Sequence, residues 1–290
     1  MKRFPKKRIA ITGAGSGFGR ALALEFAGHG WNVASNDIDL ASAEETLDLV
    51  KEAGGDGLAL KCDVTRIDEF ENLAAQLEKE WKGVDIFVNN AGVAAGGFIE
   101  DHSLEDWEWL LSINLMGMVY GCKVFTPVLE KQGQGHIINV ASAAGLVSAA
   151  EMSIYNVSKG AVVSLSETLR TELSPRGIGV TVVCPGFFKT NLLSTMRSTH
   201  DRGEKMGQSA MDLSTTSAAD VAKKTYKDVQ KNRMYSIAMR DMRNFWRIKR
   251  FFPETYFKLM SKMYQTGRLD ERLGLDNKYS LANYKPVQSK

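Results

Sequence analysis

The stretch Thr12-Gly-Ala-Gly-Ser-Gly-Phe-Gly19 decides the fold because of what stands on either side of it. Residues 8–12 have the apolar character of a short buried strand, and residues 20–28 have the spacing of a helix that ends at glycine. A glycine-rich turn between a strand and a helix offers backbone N–H groups and a helix N-terminus to a phosphate. Such turns also serve close packing alone, but this position favours nucleotide binding. The pattern is TGxxxGxG rather than GxGxxG, with glycines at Gly13, Gly17 and Gly19.

Length and composition indicate one large domain, or one domain with an appendage, in a chain of 290 residues. A net charge of +3 gives no reason to expect nucleic-acid binding. Three widely spaced cysteines without a CxxC pair suit a reducing compartment and argue against a zinc site, so we expect no metal. The basic residues 1–8 precede no apolar stretch of signal-peptide length, and no run of about 18 apolar residues follows. We therefore expect a cytoplasmic protein.

Strands and helices alternate along the chain as far as residue 239. This alternation predicts an α/β fold with a parallel sheet and helices on both of its faces. We assign residues 1–239 to this domain and residues 240–290 to a C-terminal helical extension. The predicted strands after the glycine turn are 31–36, 58–62, 84–88, 135–141, 178–184 and 234–239, and the predicted helices are 41–53, 67–82, 104–130, 153–174 and 217–231.

Asp37 ends the second predicted strand, about 20 residues past the glycine turn. An acid at this place accepts hydrogen bonds from both ribose hydroxyls of a dinucleotide and repels a 2′-phosphate. NAD is therefore favoured over NADP, and neither Ile38 nor Ser16 offers a positive charge that would reverse the choice. The alternative is that Asp37 caps the helix that begins near Ala41.

Tyr155 and Lys159 are the strongest candidates for catalysis. On a helix they stack one turn apart, and an ammonium near a phenol lowers the phenol pKa from its usual value of about 10 toward the working pH. An isolated YxxxK is more often a surface pair, so the rest of the sequence must show whether this pair is catalytic. Ser142 stands at the carboxyl end of a predicted strand, where open α/β sheets carry their sites. Asn114 lies among apolar neighbours in a helix, where it needs partners.

Taken together, the motifs resemble those of the short-chain dehydrogenase/reductase family over residues 8–239. The resemblance implies a doubly wound, seven-stranded parallel sheet of Rossmann type with strand order 3-2-1-4-5-6-7, whose seventh strand would be 234–239. The motifs that carry it are Thr12-Gly-x-x-x-Gly-x-Gly19, Asp63-Val64, Asn89-Asn-Ala-Gly92, Asn114, Ser142, Tyr155-x-x-x-Lys159 and Pro185-Gly186.

The resemblance also implies roles for these residues. Tyr155 would be the acid/base, Lys159 would lower its pKa and bind the nicotinamide ribose, and Ser142 would orient the substrate oxygen. Asn114 would hold a water that links Lys159 to solvent. In the cofactor site, Asp63 would contact adenine, Asn90 the adjacent ribose and Thr190 the carboxamide. The implied cofactor residues are Gly13, Ser16, Gly17, Phe18, Gly19, Asp37, Asp63, Val64, Asn90, Ala91, Gly92, Tyr155, Lys159, Pro185, Gly186 and Thr190.

Residues 187–217 correspond to the family's substrate-covering loop, which here is rich in methionine and other apolar residues. Methionine adapts to varied apolar shapes, so we expect a hydrophobic alcohol or ketone. Arg197 and Arg202, the arginines within this loop, are the candidates to hold a carboxylate or phosphate, but we expect them to be exposed. The alternative is that the apolar residues only close the core. The expected substrate contacts are Ala144, Val147, Met152, Phe187, Phe188, Leu192, Leu193 and Met196.

The extension is basic and aromatic over residues 240–264, and Pro253 divides it into two short helices. This composition fits a helix at a membrane surface. It equally fits a helix that packs on a partner or covers the active site, whereas nucleic-acid binding has only the charge in its favour. Residues 269–290 read as a loosely ordered tail.

Three functions are compatible with the sequence. The first is an NAD-dependent alcohol dehydrogenase that acts on a hydrophobic substrate. The second is an NADPH-dependent carbonyl reductase, which differs in its cofactor. The third is a non-catalytic NAD-binding sensor or scaffold, against which the intact set of Asn114, Ser142, Tyr155 and Lys159 argues. The family resemblance implies a homodimer or homotetramer.

Overall fold

The computed structural model describes residues 3–275. Within this range the strands are β1 Arg8–Thr12, β2 Asn32–Asp37, β3 Asp56–Lys61, β4 Ile86–Asn89, β5 Ala95–Gly96, β6 Gly135–Val140, β7 Ile178–Val183, β8 Arg197–Ser198 and β9 Tyr235–Ser236. The α-helices are α1 Gly17–Ala27, α2 Leu40–Glu52, α3 Ile67–Trp81, α4 Leu104–Leu111, α5 Gly117–Lys131, α6 Ala144–Val147, α7 Ser153–Leu173, α8 Asp201–Asp212, α9 Ala218–Gln230, α10 Arg240–Phe251, α11 Pro253–Gln265 and α12 Arg268–Leu273.

The main sheet has seven parallel strands in the order β3-β2-β1-β4-β6-β7-β9, which confirms the predicted fold and order. Its last strand is shorter than predicted, since only Tyr235–Ser236 pairs with β7. Beyond β9, the Met239 sulfur accepts from the backbone N–H of Gly186 at 3.1 Å, and α10 begins directly afterwards. The short strands β5 and β8 form a separate parallel pair.

Alternate residues of the central strands feed the cores on the two faces of the sheet. Ile9 and Ile11 of β1 point into the core under α1 and α9, whereas Ala10 points into the core under α3, α5 and α7. The same alternation separates Val88 from Phe87 in β4. Because helices cover both faces, these strands are apolar on both sides and lie fully buried.

The predicted helix 104–130 is not continuous. Between α4 and α5 the residues Ser112–Met116 form a π-helical turn, which contains Asn114. Gly117, which follows the turn, allows close packing, since a Cβ on it would lie 2.9 Å from the carbonyl oxygen of Val64. A π-helical turn within a helix often marks a functional site.

The extension packs against the domain beside the candidate site. Tyr256 of α11 is buried, and its hydroxyl donates to the carbonyl of Val147 at 2.9 Å. Trp246 of α10 lies 4.8 Å from the ring of Tyr235. Across residues 3–275, no helix combines the length and the apolar character needed to cross a bilayer.

A buried ion-pair cluster, which we call the clasp, ties three distant segments together. Arg202 of α8 binds Glu151 at 2.9 Å and Asp270 of α12 at 2.8 Å, and all three side chains are buried. Tyr264 of α11 donates to Glu151 at 2.8 Å. The expectation that Arg202 is exposed was therefore wrong: its two carboxylate partners are remote in sequence and meet it only in the fold. Arg197 is half-exposed and pairs with Asp106.

We predict that Arg202→Met destabilises the protein by about 3–5 kcal/mol, because it leaves two buried carboxylates without their counter-charge. Arg176→Met is the matched control, since Arg176 pairs with Glu130 at 3.5 Å with its side chain 45% exposed. Such a surface pair contributes only about 0–1 kcal/mol. Urea unfolding of both variants measures the difference, and equal losses would contradict the role of the clasp.

Candidate active site

The glycine turn is fixed to the end of β4 by a small hydrogen-bond network. The Thr12 hydroxyl accepts from the backbone N–H groups of Asn90 and Ala91, at 3.0 and 3.2 Å. The Asn90 carboxamide donates to the carbonyls of Thr12 and Gly13, at 2.9 and 3.0 Å. Thr12 therefore positions the loop after β4. The sequence analysis included Thr12 in the glycine motif but assigned it no role. Its place at the end of the first strand was the available signal.

The turn has the shape of a phosphate cradle. A Cβ on Gly13 would lie 2.8 Å from the Ala91 Cα, and one on Gly19 would lie 2.6 Å from the side-chain nitrogen Nδ2 of Asn90. Gly13 and Gly17 also adopt φ values of +62° and +53°, which favour glycine. The Ser16 side chain does not cap α1, so the N–H groups of the first helical turn are available to an anion. These residues fit a dinucleotide pyrophosphate.

Asp37 lies beside this cradle. Its carboxylate accepts from the backbone N–H groups of Gly15 at 2.8 Å and Asp39 at 3.1 Å. The helix-capping alternative was wrong, because Asp39 caps α2 through the N–H of Ala41. The Arg20 guanidinium also reaches this corner, where it donates to the Gly15 carbonyl and to Glu45. The sequence analysis missed Arg20, although its place in the first turn of α1 put it near the phosphate site.

The other expected cofactor residues lie along the same carboxyl edge of the sheet. Asp63 accepts from the N–H and hydroxyl of Thr65, at 2.9 and 2.7 Å, in a turn after β3. Thr190 lies next to the glycine turn, 3.6 Å from a Cβ placed on Gly17. The carbonyl of Pro185 accepts from the N–H of Ala143 at 2.7 Å. The loops that follow β1, β3, β6 and β7 therefore lie along the carboxyl edge of the sheet, where open α/β sheets carry their sites.

Tyr155 and Lys159 are both buried, so the pair is not a surface feature of α7. The Lys159 ammonium donates to the carbonyl of Val140 at 3.0 Å and lies 5.8 Å from the centre of the Tyr155 ring. Ser142 follows β6, where its hydroxyl accepts from the N–H of Ala144 at 3.1 Å. It also lies near the Tyr155 phenol, whose pKa it lowers. The structure thus brings the three side chains together.

Burial governs the ionisation of both groups. Burial raises the pKa of Tyr155 to about 12, and the hydrogen bond with Ser142 offsets only part of that rise. Burial also lowers the pKa of Lys159 to about 8, against an opposing influence of Cys184. The expected fall in the Tyr155 pKa is therefore absent, because desolvation of the phenol exceeds the stabilisation that its neighbours provide.

Asn114 is fully buried and its carboxamide is bound to the main chain. Its oxygen accepts from the N–H of Val93 at 2.8 Å, and its nitrogen donates to the Val93 carbonyl at 2.9 Å and to Ser158 at 3.3 Å. A Cβ on Gly92 would lie 3.0 Å from the Asn114 oxygen and 3.3 Å from the Lys159 nitrogen. A side chain at position 92 would therefore crowd both Asn114 and Lys159.

Apolar residues surround Tyr155, but only part of the expected substrate set is among them. Ala144, Met152, Leu192 and Met196 share one cluster with Tyr155. Phe188 instead packs in the core, where its ring lies 5.7 Å from that of Phe18. Val147 packs under α10, Leu193 lies against Gly207, and Phe187 is exposed. The cluster also contains residues that the sequence analysis did not assign to the substrate, which are Ala95, Trp107, Trp109, Leu110 and Ile154.

The fold and the glycine turn define a Rossmann-type domain with a dinucleotide-binding site at the carboxyl edge of its sheet. The family profile described as "short chain dehydrogenase" matches residues 7–201. The chain belongs to the short-chain dehydrogenase family.

Individual relatives agree with this assignment. The "Probable oxidoreductase EphD" of Mycobacterium bovis is 38% identical over 188 residues, which cover 64% of this chain but only 32% of that protein. The chain therefore spans about a third of the length of this relative. The "Epidermal retinol dehydrogenase 2" of Mus musculus is 35% identical over 65% of this chain and 64% of its own length. A short-chain dehydrogenase/reductase of Burkholderia phymatum, solved in complex with NAD, matches all of both chains with 30% identity and a TM-score of 0.79.

Proposed function

We propose that the protein is an NAD-dependent alcohol dehydrogenase that interconverts a hydrophobic alcohol and its ketone or aldehyde. The observation that carries this proposal is the group of Tyr155, Ser142 and Lys159 beyond the carboxyl end of β6, in which the tyrosine and the lysine are buried. A protein that only bound a nucleotide would need the glycine cradle but not a proton-exchanging phenol inside an apolar cluster. The non-catalytic alternative is therefore less well supported.

Each side chain has a task that its contacts suit. The glycine turn and Asp37 would hold the dinucleotide, and bound NAD would supply the hydride acceptor. Ser142 and the Tyr155 hydroxyl would hydrogen-bond the substrate oxygen, which fixes the carbon that loses the hydride. Tyr155 would take the hydroxyl proton during oxidation and return it during reduction.

Lys159 would carry the proton onward. Its pKa of about 8 lies near neutral pH, so the ammonium can lose and regain a proton during turnover. The oxygen and the nitrogen of the Asn114 carboxamide are bound to the backbone N–H and carbonyl of Val93, respectively. A relay water would therefore bond to the main chain of the π-helical turn Ser112–Met116, beside Gly92.

We predict that Tyr155→Phe lowers kcat by at least about 1,000-fold and leaves NADH binding nearly unchanged, because it removes only the proton-exchanging hydroxyl. Absorbance at 340 nm with an alcohol panel measures turnover, and fluorescence titration measures NADH binding. The matched control is Tyr226→Phe, since Tyr226 stacks on His29 next to α1, away from the cleft. A Tyr155→Phe enzyme that keeps more than about a tenth of the activity would refute the assignment.

NAD is favoured over NADP by the charges around the ribose end of the cleft. The Asp37 carboxylate stands beside the glycine turn, and the Arg20 guanidinium is paired with Glu45 at 2.7 Å. The pairing neutralises the cation that would otherwise attract a 2′-phosphate. An NADPH-dependent carbonyl reductase would require Arg20 to leave Glu45.

Asp37→Asn should raise kcat/KM for NADP relative to NAD by about tenfold or more, because it removes a negative charge and retains the acceptor oxygen for Gly15. The control is Asp56→Asn, which removes a carboxylate at the opposite end of the sheet, where β3 begins. The ratio of the two kcat/KM values is the measurement. An unchanged ratio in Asp37→Asn would show that Asp37 does not select the cofactor.

A hydrophobic substrate is favoured by the apolar cluster around Tyr155. The name of the mouse relative, a retinol dehydrogenase, points the same way. We predict that kcat/KM rises along a series of linear alcohols by about fourfold per methylene, until the cleft is filled. Met196→Ser should flatten the rise, whereas Leu213→Ser, at an exposed site, should not. A flat series in the unaltered enzyme would mean that these residues only close the core.

A further inference from the structure

The outer side of the extension exposes an apolar corner next to positive charges. Ile248, Phe251 and Phe252 are 41%, 69% and 64% exposed, respectively. Arg247 and Arg250 are exposed beside them. We call these five residues the basic-aromatic corner, and it lies where α10 ends and α11 begins. Exposed aromatic side chains in such a group mark a surface that contacts something apolar.

Helical spacing separates this corner from the part of α10 that packs on the domain. Arg240, Asn244, Arg247, Ile248 and Phe251 recur at the spacing of one helix face, and all five are exposed. Met242 and Trp246, on the opposite side, pack into the core under β7 and β9. The extension therefore covers the domain with one face and presents a second, different face to its surroundings.

The charge around the corner is strongly one-sided. Residues 240–264 contain seven Lys and Arg but only two Asp and Glu, a net charge of +5. The whole chain carries +3, so the rest of it is net negative. The positive charge is thus concentrated on the segment that also exposes the phenylalanines.

The positive charge determines which binding partner fits the basic-aromatic corner. A second copy that met the corner through a two-fold axis would bring the same arginines face to face. Residues 276–290 hold three lysines and one aspartate, so their charge does not complement the corner. An anionic lipid surface offers negative headgroups to the arginines and an acyl boundary to the aromatic rings.

We propose that the basic-aromatic corner docks on an anionic lipid bilayer, with Phe251 and Phe252 entering the boundary between headgroups and acyl chains. The same extension contacts the wall of the cleft, since Tyr256 bonds to Val147 and a Cβ on Gly186 would lie 2.9 Å from a carbon of Met242. Docking would therefore bring the cleft close to lipid-dissolved molecules. This consequence for the cleft rests on the proposed function, whereas the docking itself does not.

Pelleting of the full chain with vesicles tests the docking without any turnover. Vesicles of phosphatidylcholine alone are compared with an equal mixture of phosphatidylcholine and phosphatidylserine, at low and high salt. We expect binding to the mixed vesicles that weakens as salt screens the arginines. Phe251→Ser with Phe252→Ser should weaken binding by about tenfold or more. Leu104→Ser, which alters an 82% exposed leucine on the domain, should bind like the unaltered protein.

Three outcomes would overturn the proposal. The unaltered protein could fail to pellet with mixed vesicles at low salt, or the double variant could pellet equally well. Light scattering could instead show a larger oligomer that only the double variant loses, which would make the corner an interface between copies. The double variant should retain its kcat/KM for a water-soluble alcohol. If neither protein turns over any alcohol, the proposed function fails while the vesicle result stands.

Discussion

The close approach of two backbone segments, Thr12–Gly13 and Asn90–Ala91, is the constraint on which the rest of the site depends. β1 and β4 are neighbours in the sheet, but the chain runs from β1 to β2 and β3 on one side before it returns to β4 on the other. Open α/β sheets form their crevice at such a reversal. Here the crevice exists only because glycines let the two segments touch. The Thr12 hydroxyl and the Asn90 carboxamide then hold the contact in one geometry.

The second constraint is the loss of water around Tyr155 and Lys159. Burial opposes ionisation of both groups, and it moves their pKa values in opposite directions, to about 12 and about 8. The Tyr155 phenol is therefore a weaker acid than usual, whereas the Lys159 ammonium is a stronger acid than usual. The protein alone therefore favours the protonated phenol, which is the form that donates to a carbonyl. In the proposed oxidation, the positively charged nicotinamide ring of bound NAD would favour the phenolate and so lower the Tyr155 pKa.

Local patterns predicted most element positions, because these depend on regular apolar spacing and on glycine, whereas the strand order followed from the family resemblance. The capping box of Ser217 and Asp220 is also a local feature, since its two residues lie three apart in sequence. Three features were not predictable, since each depends on partners far away in sequence. The burial of Arg202 involves Glu151 and Asp270, the length of β9 depends on its pairing with β7, and the place of Phe188 in the core involves Phe18. The direction of the Tyr155 pKa also depends on burial, which no spacing rule reports.

The clasp of Glu151, Arg202 and Asp270 has a consequence for how the protein is made. Chains emerge from the ribosome with the N-terminal end first, so the sheet and all of the proposed catalytic residues are available before residue 270 is synthesised. Until then Arg202 has Glu151 as its counter-charge but lacks its second carboxylate partner, and the segment that carries α8 is not yet tied to α12. A chain that stopped before residue 270 would hold all of the proposed catalytic residues, yet its buried guanidinium would lack the two hydrogen bonds to Asp270. The substrate-side segment is thus fastened only after α12 has been made, so its final packing follows the formation of the sheet.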